Sequence, residues 1–255
     1  MAITSLVGIQ TAKKQSFVVN GPGNQSNATN PRGVWYNNQL VPASANRISL
    51  DNTNGVQFVN PAPGQNTYLS GANLYNSTTP PYYTLIVDLI WRIGFAIGTT
   101  GVQTLTSPLM GNRDINGLTQ GEGVYLLASA SGTNSAAGSI LSLTYTNSNG
   151  VSGRSTVTGN ESWQAGRTVF LNLVNGDTGV RSADTAQFSV SLNQPVYLFA
   201  YRPIAVIPSA SSRTNVLSEG DAISLGLPVV YDNSCVQMFY GNGFGNQGQV
   251  SFIQG

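Results

Sequence analysis

Leu85-Ile86-Val87-Asp88-Leu89-Ile90-Trp91-Arg92-Ile93-Gly94-Phe95-Ala96-Ile97 is the most apolar stretch of the chain, and its reading decides the fold. At period two, Leu85, Val87, Leu89, Trp91, Ile93, Phe95 and Ile97 share one face, and Ile86, Asp88, Ile90, Arg92 and Gly94 share the other. A helix would instead set Asp88 and Arg92 one turn apart as an ion pair. β-Branched and aromatic residues dominate, however, and Gly94 and Gly98 would each weaken a helix by about 1 kcal/mol. The stretch therefore predicts a strand. It is too short, and too interrupted by charge, for a membrane span.

The same period recurs downstream. Leu141, Leu143 and Tyr145 alternate with Ser142, Thr144 and Thr146, and Asn147–Gly150 reads as a turn in which Asn149-Gly150 supplies positive φ angles. Val151–Thr158 is the expected return strand. Val169–Val174, a turn at Asn175-Gly176-Asp177 and Ala186–Leu192 follow. Val196–Ile207 is apolar on both faces and predicts a central strand. Val229–Tyr231, Val236–Tyr240 and Gln249–Ile253 complete the series, with Gly241–Gly248 expected as a hairpin connection. Many short strands between turn signals, with no long helix, predict an all-β fold: a β-sandwich, jelly-roll-like body over residues 81–255.

Residues 1–80 differ. Asn30-Pro31, Val41-Pro42, Asn60-Pro61, Ala62-Pro63 and Pro80-Pro81 leave only short apolar runs at Ser16–Val19, Arg47–Leu50 and Val56–Val59. This part reads as an extended N-terminal arm with short strands. Trp35, Tyr36, Phe58, Tyr68 and Tyr75 argue against disorder and read as anchors, packed on the protein's own body or on a neighbour. Trp35, Tyr36, Phe58 and Tyr68 are the expected partner-binding residues. Removing residues 1–30 is expected to abolish partner binding and leave the sandwich folded.

Composition narrows the function. Only 8% of the 255 residues are charged, against about 25% in an ordinary domain. The net charge is +1, and no basic run extends beyond Lys13-Lys14, which argues against nucleic-acid binding. Such a surface gives little electrostatic steering. MAITSLVGIQTAKK lacks the charged and apolar regions of a signal peptide. Cys235 is the only cysteine and reads as a small buried hydrophobe, and no metal or other cofactor is expected. There is no histidine, which removes Ser-His-Asp and Cys-His catalysis. Paired carboxylates remain: Glu219 and Asp221 would share a strand face, and Asp177 and Asp184 flank a loop. Turn and capping roles fit these better than catalysis, so no enzyme is expected.

Several blocks resemble a family of tailed-bacteriophage virion structural proteins. They are the opening MAITSLVG; Asp88–Arg92; Gly101–Ser107; Arg113-Asp114-Ile115-Asn116-Gly117 with Gly121-Glu122-Gly123-Val124; Tyr145-Thr146-Asn147 to Gly153-Arg154; Gly176-Asp177-Thr178-Gly179-Val180-Arg181-Ser182; and the closing Ile253-Gln254-Gly255. The resemblance implies a cement (capsid decoration) protein on the head exterior, made in the host cytoplasm, binding the major capsid protein and, by analogy, forming homotrimers. A tail-fibre, receptor-binding or glycan-binding virion module is the alternative. Asp177 and Arg181 are expected to organise the turn around Gly179, a structural role.

Overall fold

The decisive stretch forms a strand over Tyr83–Gly94, buried on both faces along most of its length. Its two charges are accommodated separately rather than as a pair. Asp88 accepts hydrogen bonds from the Ser234 hydroxyl (2.7 Å) and the Cys235 amide (2.9 Å). The Arg92 guanidinium lies 4.6 Å from the centre of the Tyr197 ring, a cation–π contact that suits a buried cation.

The structure, a computed structural model, describes residues 6–20, 31–34, 47–76, 83–131, 138–164, 167–208, 217–241 and 246–255. A short helix, α1 (Leu6–Thr11), precedes β1 (Lys13–Asn20), β2 (Pro31–Val34), β3 (Arg47–Ser49), β4 (Thr67–Asn76), β5 (Tyr83–Gly94), β6 (Gln103–Thr104), β7 (Tyr125–Ala130) and β8 (Leu141–Asn147). Then come β9 (Arg154–Val157), β10 (Thr168–Leu171), β11 (Val180–Phe188), β12 (Val196–Pro208), β13 (Leu217–Asp221), β14 (Val229–Val230), β15 (Cys235–Gly241) and β16 (Asn246–Gln254). The protein is all-β, and its strand pairs are antiparallel.

The chain divides into two compact units, with the boundaries inside β5 after Asp88 and inside β12 after Arg202. Unit 1 comprises residues 1–39, 51–88 and 203–255, and unit 2 comprises 40–50 and 89–202. Unit 1 contains a sheet of order β1-β16-β4-β13, with β14 also on β4, and a second run β12-β5-β15-β2. Its core joins Val56, Phe58, Leu69, Ile86, Met238, Val250 and Phe252. Unit 2 contains a sheet β6-β11-β8-β9 and a run β10-β7-β12-β5, with β3 on β5. Its core includes Trp91, Leu126, Tyr145, Trp163, Phe188 and Leu198. Trp163 stands edge-on to Phe188 (5.8 Å) and donates its ring N–H to the Ser139 carbonyl (3.0 Å).

Local pattern and structure agree where burial follows the period. Leu141, Leu143 and Tyr145 of β8 are buried and alternate with more exposed residues. The Asn147–Gly150 turn closes with Gly150 at φ 80°. β12 lies between β7 and β5, as its two apolar faces require. Cys235 is fully buried.

Two expectations change. The strand placed at Ala186–Leu192 runs from Val180 to Phe188 instead, because β8 pairs along its whole length through two register shifts. Gly241–Gly248 does not close a hairpin: β15 pairs with β2, whereas β16 pairs with β1 and β4 in the other sheet. β15 is buried on both faces over Cys235–Phe239, but β16 alternates over 249–252, with Val250 and Phe252 inward and Gln249 and Ser251 outward. The two patterns suit different sheets.

Of the first eighty residues, the described segments 13–20 and 51–76 lie in unit 1. β1 pairs with β16 at eight successive positions, and the Phe17 ring meets Phe252 edge-on at 5.9 Å. Removing residues 1–30 would thus strip an edge strand from this sheet.

Candidate assembly surface

The loop joining β6 to β7 is fixed from within and apolar outside. Met110 is buried in the unit 2 core. Gly111 and Asn112 then take successive left-handed conformations (φ 70° and 52°), which reverse the chain. Arg113, also buried, donates from its guanidinium to the carbonyls of Leu50 and Leu89. Asp114 is fully buried, and its carboxylate accepts four backbone amides. Oδ1 takes those of Asn116 (2.9 Å) and Leu118 (2.8 Å), and Oδ2 those of Gln120 (3.1 Å) and Gly121 (3.2 Å). A buried carboxylate is tolerable when its lone pairs are satisfied in this way.

The far end of the loop crosses the start of β11 so closely that both crossing residues must be glycine. A Cβ on Gly121 would sit 2.0 Å from the Val180 carbonyl oxygen, and one on Gly179 would sit 2.0 Å from that of Gly121. The contact is locked by Gly123 donating to the Thr178 carbonyl (2.9 Å) and Val180 donating to Val124 (3.0 Å). The Thr178 hydroxyl donates to Glu122 (2.8 Å).

Asp177 stands beside the crossing and ties it to the β8–β9 hairpin. Its carboxylate accepts from Arg154 Nε (2.9 Å), the Tyr145 hydroxyl (2.6 Å) and the Asn147 amide (2.8 Å). The Tyr145 oxygen in turn accepts the Val174 amide (2.8 Å). Arg154, with help from Tyr145 and Asn147, holds the Asp177 pKa down at about 2. Burial and the bond to Asp177 push the Tyr145 hydroxyl above its ordinary value. The guanidinium of Arg181 lies over Gly150 in the β8–β9 turn, the turn that Asp177 also reaches through Asn147.

This framework presents three large aliphatic side chains to solvent, set among the exposed polar residues Asn112, Asn116, Thr119 and Gln120. Leu109 is 85% exposed, Ile115 59% and Leu118 54%. Between residues 97 and 123 the ionisable side chains are Arg113, Asp114 and Glu122, and each is engaged in the hydrogen bonds that fix the loop. A pinned loop with three large exposed aliphatic side chains is suited to burial against another protein, because little ordering entropy remains to be lost.

Of the other residues singled out in the sequence, Phe58, Tyr68, Glu219, Asp221 and Asp184 fall elsewhere. Phe58 is 2% exposed in the unit 1 core, 5.3 Å from the Phe252 ring. Tyr68 is buried in β4. Trp35 and Tyr36 lie outside the described residues. Glu219 and Asp221 share one face of β13, where a shallow groove of about 250 Å³ runs along β4, β13 and β16. Asp221 Oδ1 also accepts the amides of Ile223 (3.1 Å) and Ser224 (2.7 Å), a turn-capping role that lowers its pKa. Asp184 accepts from the hydroxyls of Thr146 (3.0 Å) and Ser182 (2.8 Å). Among the described residues no cluster of three or more His, Cys, Asp or Glu could hold a metal ion, and no helix is long and apolar enough to cross a membrane.

No protein-family model matches this chain, and no curated protein does. Solved structures with some likeness include the VP1 pentamer of Human Polyomavirus 6, at a TM-score of 0.22 and 11% identity over 100% of this chain and 97% of that one. An unassembled Washington University Polyomavirus VP1 pentamer gives 0.20 and 12% identity over 100% and 95%. Infectious bursal disease virus, Gt strain, gives 0.18 and 10% identity over 95% and 81%. Scores at this level do not establish a common fold.

The loop's exposed side chains are not distinguishable by hydropathy from core residues, so periodicity passes over them. The legible signal is Asp114 with Gly117, Gly121 and Gly123: a turn acid followed by glycines at positions where the backbone must reverse or be approached closely.

Proposed function

We propose that this protein is a virion structural component that decorates the exterior of a bacteriophage head, bridging major capsid protein subunits and self-associating, with a trimer as the working stoichiometry. The observation that carries this reading is the pinned β6–β7 loop, with Leu109, Ile115 and Leu118 held outward in solvent. The segments that build it, Arg113–Gly117, Gly121–Val124 and Gly176–Ser182, are among those resembling phage virion proteins. A DNA-filled head is under outward pressure, and extra subunit contacts resist it. Each contact can be modest, because many copies act together. Attachment through apolar and main-chain groups needs no charge, so it should resist salt, unlike binding to nucleic acid or to a charged membrane surface.

Copy number tests this reading. Quantitative mass spectrometry of purified virions should find the chain at hundreds of copies per particle. A handful of copies would assign it to the tail, and none would remove it from the virion.

A further inference from the structure

The groove on the outer face of the β1-β16-β4-β13 sheet, within unit 1, has its own chemistry. Register places Glu219 opposite Asn73, and Asn73 opposite Gln249, in one row across three strands. The next row is Asp221, Gly71 and Ser251. Ser70 completes the polar lining of about 250 Å³. Adjacent strands lie about 4.8 Å apart, so a row spans about 10 Å, roughly the length of two sugar rings. Gly71 keeps the floor open: a Cβ there would meet only the Gly220 carbonyl at 3.5 Å and Ser251 Cβ at 3.9 Å.

The lining selects among ligands. Glu219 and Asp221 disfavour an anion, and no Lys or Arg lines the groove to offset them. Ala72 is the one apolar residue beside glycine in the lining, and it is buried in the unit 1 core, so no apolar side chain faces the groove. A bare cation would need six or more converging oxygens, and one Asp221 oxygen is already committed to the Ile223 and Ser224 amides. What remains is an alternation of amide donors and acceptors, hydroxyls and carboxylate acceptors, which matches vicinal hydroxyl groups.

We propose that this groove binds a neutral saccharide, with Asn73, Gln249 and Glu219 bonding its hydroxyls and Gly71 making room for the ring. The proposal goes beyond the virion role and does not depend on it. With no aromatic side chain in the lining, hydrogen bonds alone carry the affinity, and a dissociation constant near about 1 mM is expected.

The test is saturation-transfer NMR and calorimetry of the full chain against a panel of neutral di- and trisaccharides, in EDTA. At least one sugar should bind in EDTA. Gly71→Val should weaken binding about ten-fold or more by filling the groove, with the melting temperature unchanged because a strand tolerates valine. Asn73→Ala should weaken it by a similar factor, while Lys14→Ala, outside the groove, should not. The proposal is overturned if no neutral sugar binds, if binding survives both groove substitutions, or if the groove instead takes up calcium ion alone in chelator-free buffer.

Discussion

Asp114→Asn is the sharpest perturbation of the loop, because it keeps shape and volume and changes one atom. The retained carbonyl oxygen can still accept from Asn116 and Leu118. The new NH2 then faces the amides of Gln120 and Gly121, donor against donor, and two bonds to a charged acceptor are lost. At about 1.5 kcal/mol each, the expected loss is roughly 3 kcal/mol, a large share of the 5–15 kcal/mol typical of a domain. Urea unfolding followed by tryptophan fluorescence gives that number, and hydrogen exchange should show faster opening at residues 116–121. The loosened loop must be re-ordered on binding, so capsid attachment should weaken as well. A loss below about 0.5 kcal/mol with unchanged exchange would refute the claim that this carboxylate pins the loop.

Other outcomes follow from the same geometry. Leu109→Ser and Leu118→Ser, at solvent-exposed positions, should leave stability within about 0.5 kcal/mol while reducing attachment to purified capsids in a co-sedimentation assay. Phe58→Ala should cost about 3–5 kcal/mol in urea unfolding, because the ring fills the unit 1 core against Phe252. The Asp177 carboxyl has its pKa lowered from 3.8 to about 2, so its stabilising contribution is fully present above pH 3.8 and is lost as pH falls through about 2. Melting temperatures between pH 5 and 2 should therefore fall more steeply for the wild type than for Asp177→Asn.

The strands legible in the sequence are those whose burial is decided by their own alternation or continuity. β8 shows the first case and β5 and β12 the second. β4 escaped because Gly71 and Asn73 interrupt its pattern. It is held by neighbours on both sides, β16 and β13, which no local reading contains. Phe58 and Tyr68 were recognisable as residues that must pack on something, but composition could not say that the partner is the protein's own core. Asp177 was legible as a turn residue, while its partner Arg154, twenty-three positions away, depends on the β8–β9 pairing. The loop's outward-facing aliphatic set was hidden for a related reason. Its exposure is enforced by Asp114 bonds to backbone amides, and side-chain periodicity does not report those.

An image reconstruction of the intact particle tests the central claim most directly. The account predicts this chain on the outer surface of the head in many symmetry-related copies, with Leu109, Ile115 and Leu118 buried against a neighbouring subunit. Density for the chain only in the tail, or on the head with that loop facing solvent, would contradict it.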